Sequence, residues 1–259
     1  MGDQACRDRP VACRGLSEAQ WQAEGLSLDR ALAASVMIGV PCYRDVMPEH
    51  YAAGVETVAL FLSLGIGCEL KIVKNAPVHQ ARNSIANRFL ESEHTDLLFV
   101  DDDMSWKPWD AVRLLASPHP LIAAIGRKKI ELPDTDMTAW CWSQIGPVLR
   151  IDRAGAIEVG GVGTGMMKIH RSVLETMATA HPEWRRRARI ADTAAQQRYY
   201  VKFFGWNDQG EDEISEDLGF CNAWRALGGA VWADPTIEMQ HYGVKAFGGS
   251  LARFIERAP

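Results

Sequence analysis

Leu97-Leu98-Phe99-Val100-Asp101-Asp102-Asp103-Met104 is a short apolar run that ends in three adjacent carboxylates. The apolar half reads as a strand buried on both faces. The acidic half is a costly way to end it: like charges a few ångströms apart repel and raise one another's pKa unless a cation or a set of donors neutralises them. Oxygen-only ligands suit Mg²⁺ or Mn²⁺, and Mg²⁺ commonly shares its shell with substrate phosphates. The stretch therefore implies a metal that holds a nucleotide diphosphate at the carboxyl end of a sheet.

On either side of it, strand and helix periodicities alternate. Strands are predicted over 36–40, 69–73, 97–100 and 121–125, with helices over about 48–64, 78–90 and 109–116 between them. Such a β-α-β-α-β order implies a parallel sheet with right-handed crossovers, whose ligands gather beyond the carboxyl ends of the strands. Pro41-Cys42-Tyr43, Lys74-Asn75 and the triple aspartate all fall at such ends. After about residue 130 the pattern changes to hairpin-like segments over 148–152 and 157–162 around a turn at Ala154-Gly155, followed by a strand over 166–169. A helix over 171–180, an aromatic strand over 199–204, a helix over 216–227 closed by Gly228-Gly229 and a strand over 230–233 complete the pattern. The expected fold class is α/β: a mostly parallel but mixed Rossmann-like nucleotide-binding sheet flanked by helices, with a smaller acceptor-side hairpin region. The expected division is an appendage outside the core over 1–33, one catalytic domain over 34–250 and a tail over 251–259. Within the domain, 34–130 would serve the nucleotide and 131–250 whatever reacts with it.

Composition narrows the class. A chain of 259 residues with 47% apolar content is able to bury one large core. Its 28 Lys and Arg against 33 Asp and Glu give a formal charge of -5, so no global field draws it to nucleic acid or an anionic membrane. No apolar run reaches the roughly eighteen residues of a membrane span, and the polar start lacks a signal-peptide core, so a soluble, cytoplasmic protein is expected. Cys6, Cys13, Cys42, Cys68, Cys141 and Cys221 form no CxxC pair, which argues against a zinc site or a disulfide framework.

Further candidates lie downstream. Glu216 and Asp217 open an amphipathic helix, where carboxylates serve as a cap and dipole complement, or as a general base or a contact to a sugar hydroxyl. His241 is either a satisfied structural residue or a ligand that joins a carboxylate-bound Mn²⁺. Gly160-Gly161-Val162-Gly163-Thr164-Gly165 is not a GxGxxG strand-to-helix fingerprint, and reads instead as a close backbone approach to a ligand or an unusual turn. Arg82 and Asn83 sit on the second helix. Arg185, Arg186, Arg187 and Arg189 beside Trp184 form a basic cluster suited to an anionic acceptor, or simply a solvated face.

Taken in order, these pieces resemble the GT-A glycosyltransferases, metal-dependent enzymes that transfer a sugar from a nucleotide-sugar donor. The resemblance spans about residues 35–245 and rests on VMIGVPCY, the ARN triplet of Ala81-Arg82-Asn83, the DxD motif in LLFVDDDM, the GTGMM segment, SEDLGFCNAWRALGG and the terminal His of MQHYG. It implies a GT-A-type sheet and a UDP- or GDP-linked sugar donor with Mn²⁺ or Mg²⁺. Pro41, Cys42 and Tyr43 would border the base, Arg82 and Asn83 the base or ribose, and Asp101 and Asp102 the nucleotide. Asp101, Asp103 and His241 would be metal ligands, and Gly163, Thr164 and Gly165 would line the donor sugar. Asp217, and less readily Glu216, would act as base in an inverting reaction; in a retaining one both would only hold the sugar. The acceptor would be a glycan, lipid or small molecule, or a hydroxymethylated pyrimidine in DNA, which would have to be flipped out to react. A nucleotidyltransferase, or a nucleotide-binding protein without transfer activity, fits the same sheet and carboxylates.

Overall fold

The structure is a computed structural model that describes residues 18–133, 136–187, 199–205, 207–209 and 212–255. Helices α1 (Glu18–Ala23) and α2 (Leu28–Ala33) precede β1 (Ser35–Cys42), α3 (Pro48–Leu64), β2 (Gly67–Lys74), α4 (Val78–Leu90) and β3 (Asp96–Val100). Then come the short β4 (Met104–Ser105), α5 (Pro108–Ala116), β5 (Leu121–Ala124), β6 (Trp142–Ser143), β7 (Ile157–Val159), β8 (Gly161–Val162) and β9 (Met166–His170). The chain continues through α6 (Arg171–Ala180), β10 (Arg185–Arg187), β11 (Tyr199–Val201), β12 (Asn207–Gln209), β13 (Asp212–Ile214) and α7 (Glu216–Ala226). It closes with β14 (Val231–Asp234), β15 (Met239–Tyr242), β16 (Ala246–Gly249) and α8 (Ala252–Ile255).

Seven strands form the main sheet in the order β2-β1-β3-β9-β5-β14-β7. β1 runs parallel to β2 and β3, and β14 parallel to β5, while β9 is antiparallel to both of its neighbours and β7 closes the far edge antiparallel to β14. Alternate side chains of one strand therefore serve two cores. Val36, Ile38, Val40, Leu98 and Val100 pack with residues of α2, α3 and α5 in one, and Met37, Leu97 and Phe99 pack with residues of α4, α6 and α7 in the other. Burial on both faces explains why these strands read as near-continuous apolar runs. The mixed, helix-flanked α/β sheet expected from the sequence is the fold observed.

Local chemistry sets the element ends. Pro48 occupies the first turn of α3, where its missing N–H costs nothing, and Gly65 at φ 75° closes the helix in the left-handed region. Short β4 pairs with β15, and in that register His241 lies opposite Met104, so the last third of the chain returns a histidine to the acidic loop.

Four expectations are corrected. Over 148–152 no strand forms: Val148 and Ile151 are 76% and 56% exposed, and only an isolated Ile151–Ile157 bridge remains. The aromatic strand stops at Val201 because Phe203 and Phe204 turn into the core. Nor does the described part of 1–33 stand outside the core, since Trp21, Leu26 and Ala31 are buried against the sheet and Arg113 ties Glu24 (3.0 Å) to Asp234 (2.6 Å). Leu251, expected in the tail, is likewise buried.

Candidate active site

The backbone of the acidic loop is tied from several directions. The Asp101 N–H donates to the carbonyl of Gly165 (3.2 Å), and its own carbonyl accepts from Met104 N–H (3.1 Å) and from His50 Nδ1 (2.9 Å). The carbonyls of Asp102 and Asp103 accept from the N–H groups of Met47 (3.0 Å) and Tyr242 (2.8 Å). α3, the turn before β9 and β15 thus hold one loop while its three carboxylates stay half-buried.

Arg82 connects this loop to α7. Its guanidinium donates to Asp101 Oδ1 at 2.7 Å and pairs with Glu216, and its side chain is 5% exposed. Burial alone would favour loss of its charge; Asp101, Glu216 and Asp217 outweigh that and keep it protonated. Arg82, expected beside a base or ribose, thus stands between two acids. Asn83 is not brought to the site: its amide donates to the Phe204 carbonyl (2.6 Å) and accepts from the Phe204 N–H (2.9 Å), clamping the segment after β11.

Asp103 meets two partners. Lys129 pairs with Oδ2, and His241 Nε2 lies 3.3 Å from Oδ1. His241 Nδ1 donates to the Arg127 carbonyl at 2.8 Å, which turns Nε2 toward the carboxylate. Two lone pairs that face one another in this way call for a proton or a cation between them. A backbone carbonyl behind the imidazole is the usual support of a metal-ligating histidine, and neighbouring ligands of an octahedral Mg²⁺ sit about 3 Å apart. Asp103 and His241 thus fit an ion as a pair. Asp101, which pairs with Arg82, is not gathered with them: among the described residues no group of three or more His, Cys, Asp or Glu is arranged to hold a metal.

A cavity of about 200 Å³ opens over these groups, lined by Pro41, Cys42 and Tyr43 at the end of β1 together with the three aspartates and His241. Burial, reinforced by Asp103 and Asp101, pushes Asp102 above the ordinary carboxylate range against the opposing contact with Cys42. Burial and Asp102 in turn push the Cys42 thiol up to about 11. Asp103 is also raised by burial, but His241 and Lys129 prevail and hold it below the ordinary range.

On α7 the two acids differ. Glu216 is 5% exposed and neutralised by Arg82. Asp217 is half-buried; its Oδ1 accepts from Ser215 Oγ and the Leu218 N–H, and its Oδ2 lies 3.5 Å from where a Cβ on Gly163 would stand. A Cβ on Gly165 would meet Met104 Cε at 2.6 Å and Asp101 Oδ2 at 3.9 Å, so this glycine allows the chain to pass close to the acidic loop. Gly163-Thr164-Gly165 therefore runs between Asp217 and Asp101, with the buried Thr164 hydroxyl lacking a partner among the described residues.

Sequence reasoning missed His50 and Lys129. A Pro-initiated helix after β1 hinted at the first, and KK after a strand at the second, but neither is distinctive. In the basic cluster, Arg185, Arg186 and Arg187 are exposed on β10, whereas Trp184 stacks on His181 (centroids 4.0 Å apart) and abuts Phe203, leaving its face taken. Arg189 lies outside the described residues.

No protein-family model matches this sequence, and no curated protein does. The chain is similar to three solved structures of note. The crystal structure of A197 from STIV aligns with TM-score 0.48 and 15% identity over 85% of this chain and 91% of that one. A glycosyltransferase involved in the glycosylation of the major capsid of PBCV-1 aligns with TM-score 0.28 and 13% identity over 57% and 67%. UDP-glucose pyrophosphorylase complexed with UDP-glucose aligns with TM-score 0.36 and 10% identity over 92% and 84%. At these scores none of the three bears on what this chain does. Among the described residues no helix is long and apolar enough to cross a membrane.

Proposed function

We propose that this chain is a metal-dependent glycosyltransferase that moves a sugar from a nucleoside-diphosphate sugar to an acceptor hydroxyl. One observation carries the reading: the triple aspartate and His241 line a single cavity, and Arg82 links Asp101 to the acidic start of α7. Asp103 and His241 would hold Mn²⁺ or Mg²⁺, displacing Lys129 from Asp103. A bound ion would supply neutralising charge to the diphosphate leaving group. Pro41, Cys42 and Tyr43 border the base, Asp102 faces the nucleotide, and Gly163, Thr164 and Gly165 line the sugar side. Asp217 takes the acceptor proton on Oδ2, the oxygen left over by Ser215 and Leu218. Glu216, already bound to Arg82, is a weaker base and positions the loop instead.

The test is a panel of UDP- and GDP-sugars with Mn²⁺, read as slow release of free sugar and nucleoside diphosphate. Asp103→Ala is expected to abolish metal-dependent nucleotide binding by calorimetry while leaving circular dichroism unchanged. Binding that survives this substitution sinks the proposal. Pyrophosphate release from nucleoside triphosphates would instead establish a nucleotidyltransferase.

A further inference from the structure

At the opposite end of the sheet's central strands, where β3 and β5 begin, lies a larger cavity of about 340 Å³. Its inner wall carries Lys168, from the middle of the central strand β9 and 3% exposed. In register it stands beside Leu98 of β3 and Ile122 of β5, both buried and apolar. An ammonium taken from water into such a place needs a paired charge or a full set of hydrogen bonds. Among the described residues its one hydrogen bond goes to the His119 carbonyl at 2.6 Å, which leaves two N–H donors over. Asp96 lines the same cavity but makes no ion pair with Lys168, and its Oδ2 accepts from the Thr95 hydroxyl at 2.8 Å.

The remaining charged groups around the cavity sum to a positive lining. Arg30 of α2 stands exposed at the rim, with one of its nitrogens donating to the Ala116 carbonyl (2.9 Å). His119 stacks on Trp232 and hydrogen-bonds Asp152 at 2.6 Å, and burial favours its neutral form. His170 bonds Ser172 Oγ at 2.8 Å. Two cations, one carboxylate and two imidazoles therefore face a space large enough for a small organic acid or a phosphate.

We propose that this cavity binds a small oxyanion, a phosphate or a carboxylate, with its oxygens on the Lys168 ammonium and its outer side toward the Arg30 guanidinium. It is separate from the acidic loop, five strand residues away along β3, or about 16 Å. Burial lowers the Lys168 amine to about 8, with Asp96 opposing the shift and Arg30 adding to it, so the group is charged at pH 7 and mostly neutral at pH 9.5. Anion binding should weaken across that range.

The full chain is titrated with sodium phosphate or sodium malonate at constant ionic strength set by chloride, read by calorimetry and thermal midpoint. At pH 7 either anion raises the midpoint, and the Kd at pH 9.5 is weaker by about tenfold or more. Lys168→Met abolishes the effect, and Arg30→Gln, at an exposed position that leaves folding intact, weakens binding several-fold. Asp103→Ala retains it, which separates this site from the proposed donor site. Preference between phosphate and malonate identifies the class of ligand. No midpoint shift in the wild type, or a shift in Lys168→Met as large as that of the wild type, overturns the proposal.

Discussion

Arg82 holds two carboxylates on opposite sides of the site, so its removal leaves Glu216 buried without a counter-charge. Arg82→Met is expected to destabilise the fold by about 3–5 kcal/mol, measured by urea unfolding, and a loss below about 1 kcal/mol would show that Glu216 finds another partner. Lys168 gives a pH signature of its own. Its folded pKa of about 8 lies below its ordinary 10.5, so the unfolded chain binds more protons between those values. Stability should therefore rise with pH across that window, by up to about 3 kcal/mol, and Lys168→Met should flatten the slope. A slope unchanged in that variant would refute the assignment. At this scale the sequence named the acids well: adjacent carboxylates at a strand end are conspicuous because they are expensive. Partners were harder to see. Lys129 and His50 reach the loop from 26 and 51 residues away in the chain, with no local pattern to mark them, and the amide of Asn83 looked available until the fold showed both ends on Phe204.

Among the elements, α4 ends on an unusual support. Arg171, at the start of α6, donates to the carbonyls of Phe89 (2.9 Å) and Leu90 (3.2 Å) in the last turn of α4 and to those of Ser92 (2.5 Å) and His94 (2.8 Å) in the loop that follows, so one guanidinium fastens the end of the helix and its exit. Arg171→Ala should cost about 2 kcal/mol in urea unfolding yet leave nucleotide binding at the acidic loop unchanged; altered binding would mean that α4 moves with its cap. β1 meets α4 closely at Gly39, where an added Cβ would lie 2.5 Å from Ile85 Cγ2. Gly39→Ala should therefore destabilise by about 1–3 kcal/mol, in contrast to the gain that Gly to Ala gives where space exists. Helices over 48–64, 78–90 and 171–180 were legible because a Pro start, a Gly stop or an apolar stripe acts within one turn. The segment over 148–152 meets 156–158 only through the Ile151–Ile157 bridge and the backbone hydrogen bonds beside it, and with Val148 and Ile151 exposed it buries no apolar face that would extend that pairing into a strand.

For the whole molecule, local periodicity announced a layered α/β fold and did not reveal the order of its strands. β9 follows β5 by more than forty residues yet lies between β3 and β5, a placement written in long-range pairing alone. The expected division at residue 130 is thus crossed by one sheet, to which β9, β14 and β7 all belong. A fragment ending at residue 130 should be aggregation-prone in sedimentation and lack cooperative melting, while a soluble, cooperatively melting fragment would contradict this. The same arrangement governs how the protein comes into being. On the ribosome, β1 and β3 emerge long before β9, and until then the open edge of β3 offers a row of unsatisfied backbone groups to any passing strand. During that interval the three carboxylates at the end of β3 stand beside its open edge, and like charges there oppose the approach of a second copy.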